Sequence, residues 1–165
     1  MKAKLLALAT FLSLLSTPAW AQMKGIQFEK YQLDNGLTVI LHEDHTTPNV
    51  IVSVLYHVGS KNEKTDRTGF AHFFEHLMFE GSDNIARGEF DKYISQAGGS
   101  NNAYTTQDRT YYYELFPSNQ LELGLWLESE RMLHAAVEEK GIETQREVVK
   151  EERRMRYDNQ PYGTL

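Results

Sequence analysis

The chain has 165 residues, no cysteine and a formal net charge of −6. The acidic balance gives no positive field for nucleic acid, so we expect no nucleic-acid partner. The absence of cysteine excludes disulfide bonds and metal sites built from thiolates. A zinc site in this chain would therefore have to use histidine and carboxylate side chains.

The first 21 residues have the pattern of a secretory signal peptide. Lys2 and Lys4 give a basic start, residues 5–15 form an apolar run, and an Ala-x-Ala sequence ends at Ala21. We therefore expect cleavage before Gln22 and export to the periplasm or the exterior of a bacterial cell. The apolar run is short for a membrane span. An uncleaved anchor is the less favoured alternative, and we expect no stable membrane anchor after cleavage.

Residues 22–165 are expected to form one domain. They are numerous enough for a single hydrophobic core, and no repeat or low-complexity linker divides them. Residues 158–165 have the composition of a turn that leaves a long helix, and no element follows to close the domain. We therefore expect the chain to be the N-terminal piece of a longer protein, truncated at its C-terminus.

Strand signals occur in three parts of the chain. Asp34-Asn35-Gly36 lies between strand-like runs at residues 28–33 and 37–41, which predicts a hairpin. Residues 50–58 are rich in β-branched side chains and predict a buried strand. A further strand pair is predicted over residues 102–106 and 109–116.

Helix signals fill most of the remaining sequence. An apolar helix is predicted over residues 69–79, ended by Gly81, and a long charged helix over residues 138–157. Between them, helices are predicted over residues 87–96 and from a Ser118 cap to about residue 136. Because strands and helices come in blocks, we predict an α+β fold with helices packed on a mostly antiparallel sheet.

His72-Phe73-Phe74-Glu75-His76 is the most informative motif in the sequence. Residues four apart lie on one face of a helix, so His72 and His76 can bind one metal ion. Glu75 then lies beside a metal-bound water and can act as a general base. The order His-x-x-Glu-His is that of the inverzincins, the reverse of the zincin order. The motif predicts a hydrolytic zinc site with one Zn²⁺ per chain.

A third protein ligand is required, because catalytic zinc sites usually have three and keep one open position. The candidates on the last predicted helix are Glu147, Glu151 and Glu152. Glu152 aligns with Val148, Val149 and Met155 on the apolar face of that helix, whereas Glu151 lies on the solvated side. A carboxylate on a core-facing stripe must be paired or bound to a metal, so helical phase favours Glu152.

Three segments resemble the pitrilysin/insulinase family of zinc metallopeptidases, including its bacterial processing-peptidase-like members. Residues 69–79 resemble the metal-binding helix of the family along its whole length. Residues 146–152 resemble the segment that supplies the third ligand, and the match places that ligand at Glu152. Residues 98–105 resemble the substrate-facing edge strand. The likeness covers about residues 28–165 and implies the N-terminal, active-site half-domain of a pitrilysin-like metallopeptidase.

The resemblance also implies roles for residues outside the metal site. Asn102 and Ala103 would contact the backbone of a substrate, and Tyr104 would lie near a side-chain pocket. From the residues alone, this segment is either an edge strand that can add an extended peptide or an ordinary polar sheet edge. Gln145 occupies a position where family members often have a glutamate, and its amide can still hydrogen-bond a metal ligand.

These patterns predict a zinc metalloendopeptidase that acts on peptides or unfolded proteins, with Glu75 as the general base. One alternative is a non-catalytic homologue that binds peptides or partner proteins. Degenerate members of the family tend to lose site residues, whereas all four positions are filled here. Another alternative is an incomplete fragment, because the catalytic chambers of the family use two homologous halves. Activity would then require a C-terminal half or a homologous partner subunit.

Overall fold

The computed structural model describes residues 25–159 and residue 161. The predicted signal peptide, residues 1–21, lies outside the described residues. Within the described part of the chain, no helix has the length and apolar character needed to cross a membrane. The chain divides into two compact units, one ending at Thr46 and the other beginning at Thr47.

The first unit contains the predicted hairpin. Strand β1 (Glu29–Gln32) pairs antiparallel with β2 (Thr38–Leu41), so that Gln32 lies opposite Thr38. Gly36 adopts a φ of +89° in the turn, a conformation that glycine reaches without steric cost. The Asn35 side-chain oxygen accepts a 3.1 Å hydrogen bond from the Leu37 N–H. The hairpin prediction is confirmed.

The second unit is built on a three-stranded antiparallel sheet. Its strands are β3 (Asn49–Tyr56), β4 (Ser100–Thr105) and β5 (Thr110–Pro117), in the order β3–β5–β4. Tyr112 on the central strand lies opposite Val54 of β3 and Ala103 of β4. Strand β4 is therefore an edge of the sheet formed by the described residues.

Four α-helices complete the described part of the second unit. They are α1 (Phe70–Leu77), α2 (Phe90–Gln96), α3 (Leu121–His134) and α4 (Glu139–Arg153). Helices α1, α2 and α3 contact the sheet, and α4 packs against α1. A cluster of buried apolar side chains joins the helices to β5, namely Ile85, Phe90, Ile94, Phe116 and Leu127. The predicted α+β class with helices on an antiparallel sheet is confirmed.

Strand β3 corrects one prediction, since it is not buried on both faces. Val52 is buried, whereas Ile51 is 63% exposed and Leu55 is 55% exposed. These side chains alternate because successive residues of a strand point to opposite faces of the sheet. A run of β-branched residues predicts a strand but does not show whether both of its faces are covered.

Two helix starts also differ from the predicted ones. The second helix begins at Phe90 rather than at residue 87, because Gly88 has a φ of +77°, outside the helical region. Ser118 does not cap a helix but opens a 3₁₀ turn over Ser118–Gln120. Helix α3 follows from Leu121 without a side-chain cap.

Candidate metal centre

The His-x-x-Glu-His motif lies on helix α1, and its N-terminus is capped from outside the helix. Gly69 precedes the helix with a φ of +93° and has no side chain to cap it. The Glu63 carboxylate instead accepts hydrogen bonds from the N–H groups of Gly69 and Ala71, both at 2.7 Å. The first N–H groups of a helix need such partners. Glu63 therefore fixes the start of the helix that carries His72 and His76.

The two histidines converge with Glu152 of α4. His72 Nε2 and His76 Nε2 lie 3.2 Å apart. The Glu152 carboxylate oxygens lie 3.5 Å from His72 Nε2 and 3.6 Å from His76 Nε2. One ligand atom from each of the three residues lies within 4.8 Å of the others. Sequence reasoning placed these three residues in one site, and the structure brings them together.

The separations fit a zinc ion. With zinc–nitrogen and zinc–oxygen distances of about 2.0–2.1 Å, neighbouring ligand atoms of a tetrahedral site lie about 3.3 Å apart. The two histidine nitrogens lie 3.2 Å apart, and those of His72 and His76 lie 3.5 Å and 3.6 Å from different oxygens of the Glu152 carboxylate. With a single oxygen as the ligand, the three ligand atoms lie within 4.8 Å of one another. Two imidazoles and one carboxylate are also a donor set that catalytic zinc sites use. The residues present therefore fit the metal that the motif predicts, and their roles as ligands stay predictions.

Helix α4 presents Glu152 to the site, but the helix face that carries it is less buried than its apolar residues predicted. Val148 and Met155, taken as markers of the apolar face, are 40% and 54% exposed. Glu151 forms an ion pair with Arg154 on the exposed side, as expected. The Glu152 side chain is 25% exposed and faces α1. Phase correctly separated Glu152 from Glu151 but overstated how deeply that face is buried.

Glu75 lies on the same helix and is 8% exposed. Its Oε2 accepts a 2.5 Å hydrogen bond from the Thr105 hydroxyl at the end of β4. Sequence reasoning missed Thr105. Strand alternation places Thr105 on the same face as Ala103, but no sequence signal indicated that this face contacts α1.

Gln145 connects the site to a buried carboxylate. Its Oε1 lies 3.2 Å from His76 Nδ1, and its Nε2 donates a 2.5 Å hydrogen bond to Glu80 Oε1. Arg87 forms an ion pair with the same carboxylate. Burial alone would raise the pKa of Glu80, but the hydrogen bonds from Arg87 and Gln145 hold it below its usual value. The sequence indicated Gln145 but gave no signal for Glu80 or Arg87.

The three residues assigned to substrate binding lie on the edge strand beside the site. An open groove of about 1110 Å³ is lined by His72, Glu152 and Thr105, among others, but not by Asn102, Ala103 or Tyr104. The Ala103 N–H donates a 2.8 Å hydrogen bond to the Asn102 side-chain oxygen. Tyr104 packs against Tyr111, with ring centroids 5.4 Å apart. Their roles in substrate binding stay predictions.

Comparison with known proteins shows that the chain is similar to proteins named as zinc proteases. The sequence profile of the insulinase family, peptidase family M16, matches residues 38–162. The chain is 41% identical over 138 residues to the zinc protease PqqE of Helicobacter pylori, covering 83% of this chain and 31% of that protein.

Solved structures show the same likeness. A crystal structure of a protease from Helicobacter pylori matches with a TM-score of 0.81 and 40% identity, over 85% of this chain and 34% of that one. The crystal structure of pitrilysin matches with a TM-score of 0.74 and 26% identity, over 81% of this chain and 14% of that one. The chain thus spans about a third, or less, of the length of these relatives.

Proposed function

The chain belongs to the insulinase family, peptidase family M16, and from this we propose that it is a zinc metalloendopeptidase acting on peptides or unfolded proteins. One arrangement supports this function most directly. The ligand atoms of His72, His76 and Glu152 converge within 4.8 Å, and the buried carboxylate of Glu75 lies on the same helix as both histidines.

In the proposed reaction, a bound zinc ion and Glu75 would have different roles. His72, His76 and Glu152 would hold one Zn²⁺, which supplies activation of a water and polarisation of a peptide carbonyl when bound. Glu75 takes a proton from the attacking water and later delivers it to the nitrogen of the leaving amine. Thr105 holds one oxygen of Glu75 through its hydroxyl, which orients the carboxylate for both transfers.

The experiment that tests this function is the replacement Glu75→Gln, assayed on an unfolded polypeptide. An amide cannot accept the proton, so kcat/KM should fall about 10²- to 10⁴-fold while the zinc content stays unchanged. Glu151→Gln is the matched control, because Glu151 is exposed and pairs with Arg154 instead. A Glu75→Gln variant that cleaves at the wild-type rate would exclude Glu75 as the base.

Substrate would bind at the edge of the sheet. Strand β4 can add an extended peptide through backbone hydrogen bonds, a mode that makes little demand on sequence. The Asn102 side chain bonds the Ala103 N–H in the free protein, so it must turn away when a peptide takes that donor. Tyr104, 38% exposed on this strand, would then contact a substrate side chain.

Complete activity is proposed to require more than these residues. Because the chain spans about a third of the length of its curated relative, we propose that a C-terminal half or a homologous partner subunit completes the catalytic chamber. The basic and apolar pattern of residues 1–21 supports export, with the periplasm or the cell exterior as the site of action. The alternative of a non-catalytic binding protein is less favoured, since every residue of the site is present.

A further inference from the structure

A buried carboxylate that takes no part in the reaction proposed above lies next to the candidate metal centre. Glu80 is 9% exposed and follows helix α1 by three residues. It accepts hydrogen bonds from the Arg87 guanidinium and from Gln145 Nε2. The other end of the Gln145 amide meets His76 Nδ1 at 3.2 Å. A continuous line of polar contacts therefore runs from Arg87 through Glu80 and Gln145 to His76.

The donor and acceptor chemistry of these groups fixes the direction of every bond in the line. Arg87 can only donate, and an ionised carboxylate can only accept. Glu80 must therefore receive the NH₂ group of Gln145, which leaves the carbonyl oxygen of Gln145 facing His76. An acceptor at this place requires a proton on His76 Nδ1, and in the neutral imidazole Nε2 then keeps a free lone pair.

We propose that Glu80 is a positioning residue that, through Gln145, sets His76 in the tautomer able to bind zinc. This inference rests on the proposed function, because it assigns Nε2 of His76 to the metal. His76 Nε2 is the nitrogen that faces His72 and Glu152. The orientation of the Gln145 amide thus decides whether this nitrogen enters the site as a ligand or as a proton donor.

A glycine of helix α4 leaves room for the Glu80 carboxylate. Gly141 on α4 lies directly against it, and a Cβ at that position would come within 3.0 Å of Glu80 Oε2. Gln145 follows Gly141 by one helical turn, on the same face of α4. Gly141 leaves room for the Glu80 carboxylate. The next turn of α4 supplies the Gln145 amide, which contacts both Glu80 and His76.

Replacing Glu80 by glutamine should reverse the direction of the hydrogen bonds from residue 80 through Gln145 to His76. In Glu80→Gln, Arg87 takes the new amide oxygen, so the new NH₂ group faces Gln145. Gln145 must then present its oxygen to residue 80 and its own NH₂ to His76 Nδ1. His76 would accept there and carry its proton on Nε2. We expect the zinc affinity to fall about 10- to 100-fold, the usual range for losing a partner of a metal-bound histidine.

A second replacement should restore the original state. In the double variant Glu80→Gln with Gln145→Glu, the amide at position 80 donates to the carboxylate at position 145. That carboxylate accepts the proton of His76 Nδ1, as the Gln145 oxygen does in the natural chain. Glu139→Gln is the matched control, since it removes a carboxylate from the exposed first turn of α4 without touching this line.

The deciding measurement is the ¹⁵N chemical shifts of the His76 ring in zinc-free full-length chain at about pH 8, where an imidazole is ordinarily neutral. Zinc affinity by chelator competition accompanies it. We expect a proton on Nδ1 in the wild type, the control and the double variant, and on Nε2 in Glu80→Gln, with zinc affinity following the same order. Unchanged shifts and affinity in Glu80→Gln, or a double variant that stays like Glu80→Gln, would overturn the inference. A wild type that binds no zinc would contradict the proposed function instead, while the zinc-free shifts still test Glu80.

Discussion

The hydroxyl of Thr105 donates a 2.5 Å hydrogen bond to the carboxylate of Glu75. This contact joins the last residue of edge strand β4 to the last turn of helix α1. The strand proposed to bind substrate therefore also holds the proposed general base. A peptide that adds to β4 would be aligned with the carboxylate by the same piece of backbone.

Removing this hydroxyl should slow peptide hydrolysis without removing the metal. A hydrogen bond to a charged group contributes roughly 1.5–3 kcal/mol. If that energy orients Glu75, Thr105→Val should lower kcat about 10- to 100-fold and leave the zinc content unchanged. Thr144→Val is a suitable control, because the Thr144 hydroxyl bonds only the Lys140 carbonyl oxygen within its own helix. Equal kcat values for Thr105→Val and the control would contradict a role in orienting the base.

Capping by Glu63 should contribute to the stability of helix α1, which carries the proposed zinc ligands His72 and His76. Its two oxygens each accept one N–H at the start of α1, whereas a glutamine at this position has a single acceptor. Glu63→Gln should therefore lower the free energy of unfolding by about 1 kcal/mol, measured by urea denaturation. As a control, replacement of the exposed Glu29 of β1 by glutamine should change the free energy of unfolding by less than about 0.5 kcal/mol. A Glu63→Gln variant as stable as this control would show that the cap is dispensable.

A buried cluster of charged side chains joins strand β5 to helix α3. The Arg131 guanidinium lies 3.3 Å from Glu114 and 3.1 Å from Glu128, and all three side chains are buried. It is also surrounded by aromatic rings at 4.4–4.6 Å, those of Phe79, Phe90 and Tyr112. One cation thus faces two carboxylates. Burial, with the added effect of Glu128, raises the pKa of Glu114 to about 9.

This raised pKa predicts a loss of stability as the pH rises. Glu114 holds its proton in the folded chain up to about pH 9, whereas its ordinary value of 4.5 applies when unfolded. Between these two values the folded state binds more protons, so the free energy of unfolding falls with increasing pH, by at most about 1.4 kcal/mol per pH unit. Glu114→Gln should lose this slope.

Urea denaturation of the wild type and of Glu114→Gln between about pH 6 and pH 9 measures how the free energy of unfolding depends on pH. If the free energy of unfolding fell equally with pH in the wild type and in Glu114→Gln, Glu114 would not be the group responsible. Among the described residues, no hydrogen bond or ion pair joins Glu114 to His72, His76 or Glu152. Zinc content should therefore be the same in the wild type and in Glu114→Gln at neutral pH.

Local patterns were sufficient to predict most elements of the fold. The Asn35-Gly36 turn identified the hairpin, and the apolar segment that contains His72 and His76 identified helix α1. What the sequence could not show was which faces are covered. Ile51 and Leu55 have strand-forming side chains that lie exposed, because coverage depends on which elements pack against the sheet and not on the strand itself.

The residues of the candidate site also differ in how far the sequence predicts them. Residues on one helix, such as His72, Glu75 and His76, follow from spacing alone. Contacts between distant elements do not, and both Thr105 and Glu80 reach the site through such contacts. Glu152 lies between these cases, since helical phase selected it but the resemblance to a known family supplied the distant pairing.

The zinc content of the purified chain, compared with that of Glu152→Gln, tests the central claim most directly. Glu151→Gln is the matched control, one residue away on the exposed side of the same helix. We predict close to one zinc per chain in the wild type and in Glu151→Gln, and a sharply reduced content in Glu152→Gln. A folded wild type without zinc, or a Glu152→Gln variant that retains it fully, would contradict a zinc site formed by His72, His76 and Glu152.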